Sequence, residues 1–194
     1  MDGSELFAKC LEQATAIVKQ VRTDQLVNAT PDTDWNVRDL AHHMLYELSW
    51  VPAMVEGLTI DEVGDKYEDE LFDEDGGDLI ANWERAASKA DQAVLMADLE
   101  EVAHVSYGDI SIENYLYQIG GDLLIHAWDL AKGIGFPIQF DPAVAQEIYE
   151  HTLPQQANMK ASGLFASPID VPNTADLQTR LLGLFGRRAD WQAS

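Results

Sequence analysis

Asp122 and His126 stand four residues apart in Asp122-Leu-Leu-Ile-His126, inside a run that is otherwise apolar. At about 100° per residue, a helical step of four returns to nearly the same angle, so the carboxylate and the imidazole share a face. On that wheel Tyr115, Ile119, Asp122, His126 and Leu130 form one stripe, with the two chemistry-bearing side chains at its centre. A carboxylate without a partner is costly to bury, so one in the middle of a core face calls for a cation. A divalent metal ion, held jointly with a histidine from another helix, meets that need. A plain Asp–His side-chain contact is the alternative at this spacing.

The other ligands must come from a second helix, and the stretch from Val37 to Val55 offers His42, His43 and Glu47. His43 lies at the edge of that helix's apolar stripe and Glu47 lies within it, one turn away. His42 points away from the stripe and is expected to face solvent. His43 is therefore the expected third ligand, with Glu47 as a catalytic base beside the ion or a fourth ligand. Two histidines and one carboxylate leave positions open for water or substrate, as catalytic metal sites do. Zinc is the first expectation, while iron(II) and nickel also suit this donor set.

The elements that must position these groups follow from apolar spacing. Phe7, Leu11, Ala14, Val18 and Val21 predict a first bundle helix. Thr30 to Trp35 reads as a loop leading to an N-cap at Asn36, with Asp39 in the favourable first turn. Val37, Leu40, Met44, Leu48, Val51 and Val55 predict the second helix, which Pro52 bends and Gly57 stops. Residues 61–78 carry ten acids and a Gly76-Gly77 pair, which predicts a solvated loop. A third helix is expected over 79–99, with Ile80, Trp83, Ala87, Ala90 and Val94 inward. A short extended piece over 102–107 precedes a fourth helix, capped by Ser111 and ending near Lys132 and Gly133. Asp141-Pro142 opens a fifth helix. A looser stretch over 162–173 leads to a short terminal helix near 175–185. The expected fold is all-α: an antiparallel four-helix bundle with an additional C-terminal helical segment, forming a single domain over 1–194.

Composition narrows the partners. The chain has 194 residues, with 34 acidic against 12 basic side chains and a net charge of −22. That field repels nucleic acid and anionic membrane surfaces, so neither is an expected partner. One cysteine, Cys10, allows no intramolecular disulfide. No apolar run approaches the roughly 20 residues of a membrane span, and the first residues lack a signal-peptide pattern. A cytoplasmic location is expected by elimination.

Other motifs fall away. The segment from Asp73 to Asp78, with Glu84 twelve positions from Asp73, invites a calcium-loop reading; Asp78 stands at the sixth place, where glycine is required. No phosphate-binding glycine loop is present. Cys10 reads as a half-buried core residue; His104 and His151 could line the pocket, with surface placement the plainer reading. Trp35, Trp50, Trp83 and Trp128 read as packing. Arg187 and Arg188 are candidates for meeting substrate carboxylates, although surface arginines in an acidic shell are the plainer reading.

The block Thr30-Pro through Asp34-Trp35-Asn-Val-Arg-Asp-Leu-Ala-His-His43, then Glu47, Trp50 and Gly57-Leu-Thr-Ile60, resembles the DinB/YfiT-like superfamily. With Asp122 through Ala131, Gly135 and the ending Arg180 to Arg187, it most resembles the metal-binding N-terminal domain of mycothiol-dependent maleylpyruvate isomerases. The resemblance implies a metal held by a helix-2 histidine and an acid-x-x-x-His pair, which fall on His43, Asp122 and His126. It also implies a homodimer working with a low-molecular-weight thiol such as mycothiol. Asp122 is one methylene shorter than the glutamate that often fills its place. Those isomerases carry a further C-terminal domain for which this chain has no room, so maleylpyruvate isomerisation itself is not expected. The leading expectation is a metal-dependent enzyme that activates a thiol against an electrophilic substrate, of S-transferase or isomerase type. Metal-assisted hydrolysis and a non-catalytic metal- or ligand-binding bundle are the alternatives.

Overall fold

The computed structural model describes residues 1–67, 72, 76–156 and 166–193. In chain order it contains α1 (Gly3–Val18), α2 (Val37–Val55), the short α3 (Ile60–Val63) and α4 (Leu79–Met96). A hairpin of β1 (Val102–Val105) and β2 (Gly108–Ser111) follows, then α5 (Ile112–Gly133), α6 (Pro142–Thr152) and α7 (Leu177–Leu184). The fold is all-α apart from that hairpin. Packing is closest between α1 and α5 and between α2 and α4, which makes these four long helices the bundle.

Capping fixes the helix starts as the sequence predicts. Asn36 accepts from the Asp39 amide, Ser111 from that of Asn114, and Asp141 from those of Ala143 and Val144. Helix α2 ends before Gly57, whose φ of 74° suits glycine alone at little cost. None of the described helices is long and apolar enough to cross a membrane.

Three local expectations are corrected, and a fourth falls outside the described residues. The stretch after residue 60 is not all loop: Thr59 and Glu62 form a reciprocal capping box that nucleates α3. The calcium-loop candidates Asp73 to Asp75 lie outside the described residues. In α4, Leu79 turns inward at 4% exposure while Ile80 is 40% exposed. The helix begins directly after Asp78, whose left-handed φ of 63° sets its phase. Finally, the extended piece at 102–107 has a partner: Ala103 pairs with Ile110 and His104 with Asp109. The four residues of β2 are too few for period-two alternation to show.

One buried cluster fills the bundle between α1, α2, α4 and α5. A second joins Leu6 and Cys10 of α1 and Trp128 of α5 to Val144 and Ile148 of α6 and Leu181 of α7. Helix α5 is therefore enclosed on every side, and all residues from Leu123 to Ala131 are buried. Cys10 is completely buried rather than half-buried, and that burial pushes its thiol up to about 12, with Asp141 adding to it. Such a thiol is a packing group, not a nucleophile.

Candidate metal centre

Three of the sequence-predicted residues meet at one point. His43 from α2 and Asp122 and His126 from α5 offer ligand atoms that all lie within 4.8 Å of one another. His126 Nε2 is 3.4 Å from Asp122 Oδ1, and His43 Nε2 is 3.8 Å from Asp122 Oδ2. The two imidazoles stand edge to face, with ring centroids 5.1 Å apart. Asp122 Oδ2 is buried and has no hydrogen-bond partner. A carboxylate whose Oδ1 faces His126 while its Oδ2 is left unpaired beside His43 is costly as it stands. It is also the donor set a divalent transition metal requires, so these residues fit such an ion.

The titration behaviour of the cluster follows from its neighbours. Burial pulls His43 down, against the pull of Asp122, which favours the neutral imidazole a metal ligand needs. Burial works against the charged form of His126 too. Asp122 on one side and Asp129 on the other overcome it and push His126 up to about 10. Burial would raise Asp122, but His126, His43 and Arg187 together hold it below the usual carboxylate range. Glu47 shares the α2 face with His43, and burial followed by the charge of Asp122 pushes it up to about 7. Its carboxylate is not one of the three grouped ligands.

Behind the cluster lies a layer that sequence reasoning missed. His126 Nδ1 is 3.2 Å from Oδ2 of Asp129, a carboxylate with no exposed surface. Arg187 Nη2 donates to the same oxygen at 2.8 Å and to Asp32 Oδ2 at 2.5 Å, and its Nη1 donates to the Phe185 carbonyl at 2.9 Å. Arg187 is thus neither a surface residue nor a substrate anchor; it neutralises the carboxylate that orients His126. A histidine tied down through Nδ1 presents Nε2 in a fixed direction, which raises its value as a ligand. Arg188 does point outward, paired with Asp190.

The loop between α1 and α2 closes the remaining side. Thr30 Oγ1 donates to the carbonyls of Asp32 and Trp35, and Asn28 Nδ2 donates to the Gly133 carbonyl at the end of α5. Gly133 has no room for a side chain there, since a Cβ would lie 2.7 Å from Val37 Cγ2. This clamp sets the Trp35 ring 4.4 Å from that of His43 and 5.7 Å from that of His126. Trp35 is therefore a wall of the site as well as a packing residue.

An open cleft of about 430 Å³ reaches His43, lined also by Trp35, Arg38, Asp39, His42 and Tyr46. His42, expected in solvent, is half-buried on this cleft, with its ring 5.6 Å from that of Phe72. The Nε of Arg38 is buried without a hydrogen-bond partner. His104 bonds Asp109 across the hairpin at 2.7 Å, while His151 is half-buried and stacks on Tyr117. Neither belongs to the ligand group.

The model of the mycothiol maleylpyruvate isomerase N-terminal domain family matches residues 7–131, a span that holds all three grouped ligands. Two uncharacterized proteins of Mycobacterium tuberculosis, Rv0738 of strain H37Rv and MT0763 of strain CDC 1551, are each 24% identical over 152 residues. Those alignments cover 76% of this chain and 75% of each relative. No solved structure matches the chain.

Proposed function

Because the chain belongs to the mycothiol maleylpyruvate isomerase N-terminal domain family, we propose that it is a metal-dependent enzyme joining a low-molecular-weight thiol to an electrophilic carbon. The observation that carries this reading is the convergence of His43, Asp122 and His126 on one point beside an open cleft. Zinc is the metal this donor set favours first, ahead of iron(II) or nickel.

A divalent cation in that position would lower the pKa of a thiol presented to it, making the thiolate available at neutral pH. Glu47, poised at about 7, accepts the proton that the thiol gives up. The sulfur then bonds to the electrophilic carbon, and the displaced electron pair leaves with the departing group or returns as an adjacent double bond shifts. Trp35 limits water on one side of His43. Arg38, which lines the cleft, takes the part first considered for Arg187 and Arg188: meeting an anionic group of the substrate. The contact of Arg187 with Asp129 supports treating 1–194 as one working unit, since a tail residue completes the setting of His126.

The test is turnover of the zinc-loaded protein with an activated electrophile, with and without mycothiol or a simpler aminothiol. Product formation is expected only with thiol present. Glu47→Gln is expected to lower kcat by about 10²–10⁴-fold while metal content stays unchanged. Turnover at the same rate without any thiol would point to metal-assisted hydrolysis instead.

A further inference from the structure

A second cleft, of about 770 Å³, lies between α2 and α4. Its α2 wall includes Leu45 and Pro52, and at about 100° per residue His43 and Glu47 lie roughly 160° around the helix from Leu45. The cleft is therefore on the face of α2 turned away from the metal centre. Short side chains are among its lining: Ala53 on α2 and Ala86 and Ala93 on α4. Its volume falls in the range of small-molecule sites, about 300–1,000 Å³.

The charge of this cleft runs against the rest of the molecule. The chain has 34 acidic and 12 basic residues, yet among the described residues the lining holds Lys66, Arg85 and Lys89 against Glu56. Arg85 and Lys89 are one helical turn apart, so their heads share a rim. None of the three forms an ion pair with a described carboxylate. Arg85 bonds the side chain of Asn82, and Lys66 sits 5.1 Å over the Tyr67 ring. Cations with no carboxylate partner among the described residues, beside alanines of α4, make a site with one charged end and one apolar wall.

We propose that the α2–α4 cleft binds a small amphipathic anion: a carboxylate on an aliphatic chain. Arg85 and Lys89 hold the head, and the chain lies along Ala86 and Ala93. The site is independent of the metal centre and of the thiol chemistry.

Calorimetric titration of the full-length, zinc-loaded protein with sodium decanoate tests this. One saturable site is expected, with affinity that falls as salt is added. The exposed pair Arg85→Glu and Lys89→Glu is expected to weaken binding at least about tenfold, as is decanol in place of decanoate. Ala93→Trp, which blocks the apolar wall, is expected to abolish binding, while helical content and metal content match wild type in every variant. No saturable heat with decanoate would overturn the proposal. Binding that survives both the charge reversal and Ala93→Trp would also overturn it.

Discussion

Arg187→Ala is expected to lower the unfolding free energy of the metal-free protein by about 3–5 kcal/mol, the cost of leaving one member of a buried ion pair behind. Asp129 has no exposed surface, and Arg187 donates to it from both Nε and Nη2. Removing the guanidinium leaves that carboxylate with only the His126 imidazole as a charged neighbour. It also releases the α1–α2 loop at Asp32 and the end of α7 at the Phe185 carbonyl. Chemical denaturation at neutral pH measures the loss. Replacing both partners with apolar residues of similar size, Asp129→Leu with Arg187→Met, is expected to recover most of it, because no orphaned charge remains. The same double variant is expected to bind metal about 10–100-fold more weakly, since His126 loses the carboxylate that orients it. A stability loss well under 1 kcal/mol for Arg187→Ala would mean that this pair is solvated in solution.

Alanine at Asp122 or at His126 is expected to weaken zinc binding by more than about 100-fold, beyond the effect of losing an orienting partner. Asp122 is the joint of the cluster: one oxygen faces His126 and the other faces His43. Without it, two imidazoles remain with no negative charge between them to offset a divalent cation. Competition against a chromophoric chelator reads this directly. Glu47→Gln, by contrast, is expected to keep affinity within a few-fold of wild type. Retention of full affinity by Asp122→Ala would place the metal elsewhere.

Much of this centre was legible because its helices are marked at both ends. Asn36 and Ser111 cap α2 and α5, so the phase of each helix could be counted from a fixed start. With the phase known, His43 fell at the edge of one apolar stripe and Asp122 and His126 at the centre of another, so a shared space was the reading to test. The supporting layer was hidden for a physical reason. Helix α5 is enclosed by two cores, and the second comes from α6 and α7, far along the chain. A helix buried on all sides has no polar face against which to notice Asp129. Its partner Arg187 lies 58 residues away, in the tail of a very acidic chain, where an arginine reads as a solvated counter-charge. The available signal was Asp129 itself, a carboxylate in an otherwise apolar run from Leu123 to Ala131 that holds one other polar side chain, His126. Arg38 was passed over in the same way. It stands in the stretch that marks the family resemblance, but only the folded chain places it on the cleft.

The most direct test is elemental analysis of the purified full-length protein beside His126→Ala and Asp122→Ala, each prepared without added metal and again after zinc loading and desalting. The arrangement of His43, Asp122 and His126 predicts close to one transition-metal ion per wild-type chain and loss of most of it in both variants. Equal metal in all three proteins, or none in the zinc-loaded wild type, would contradict it.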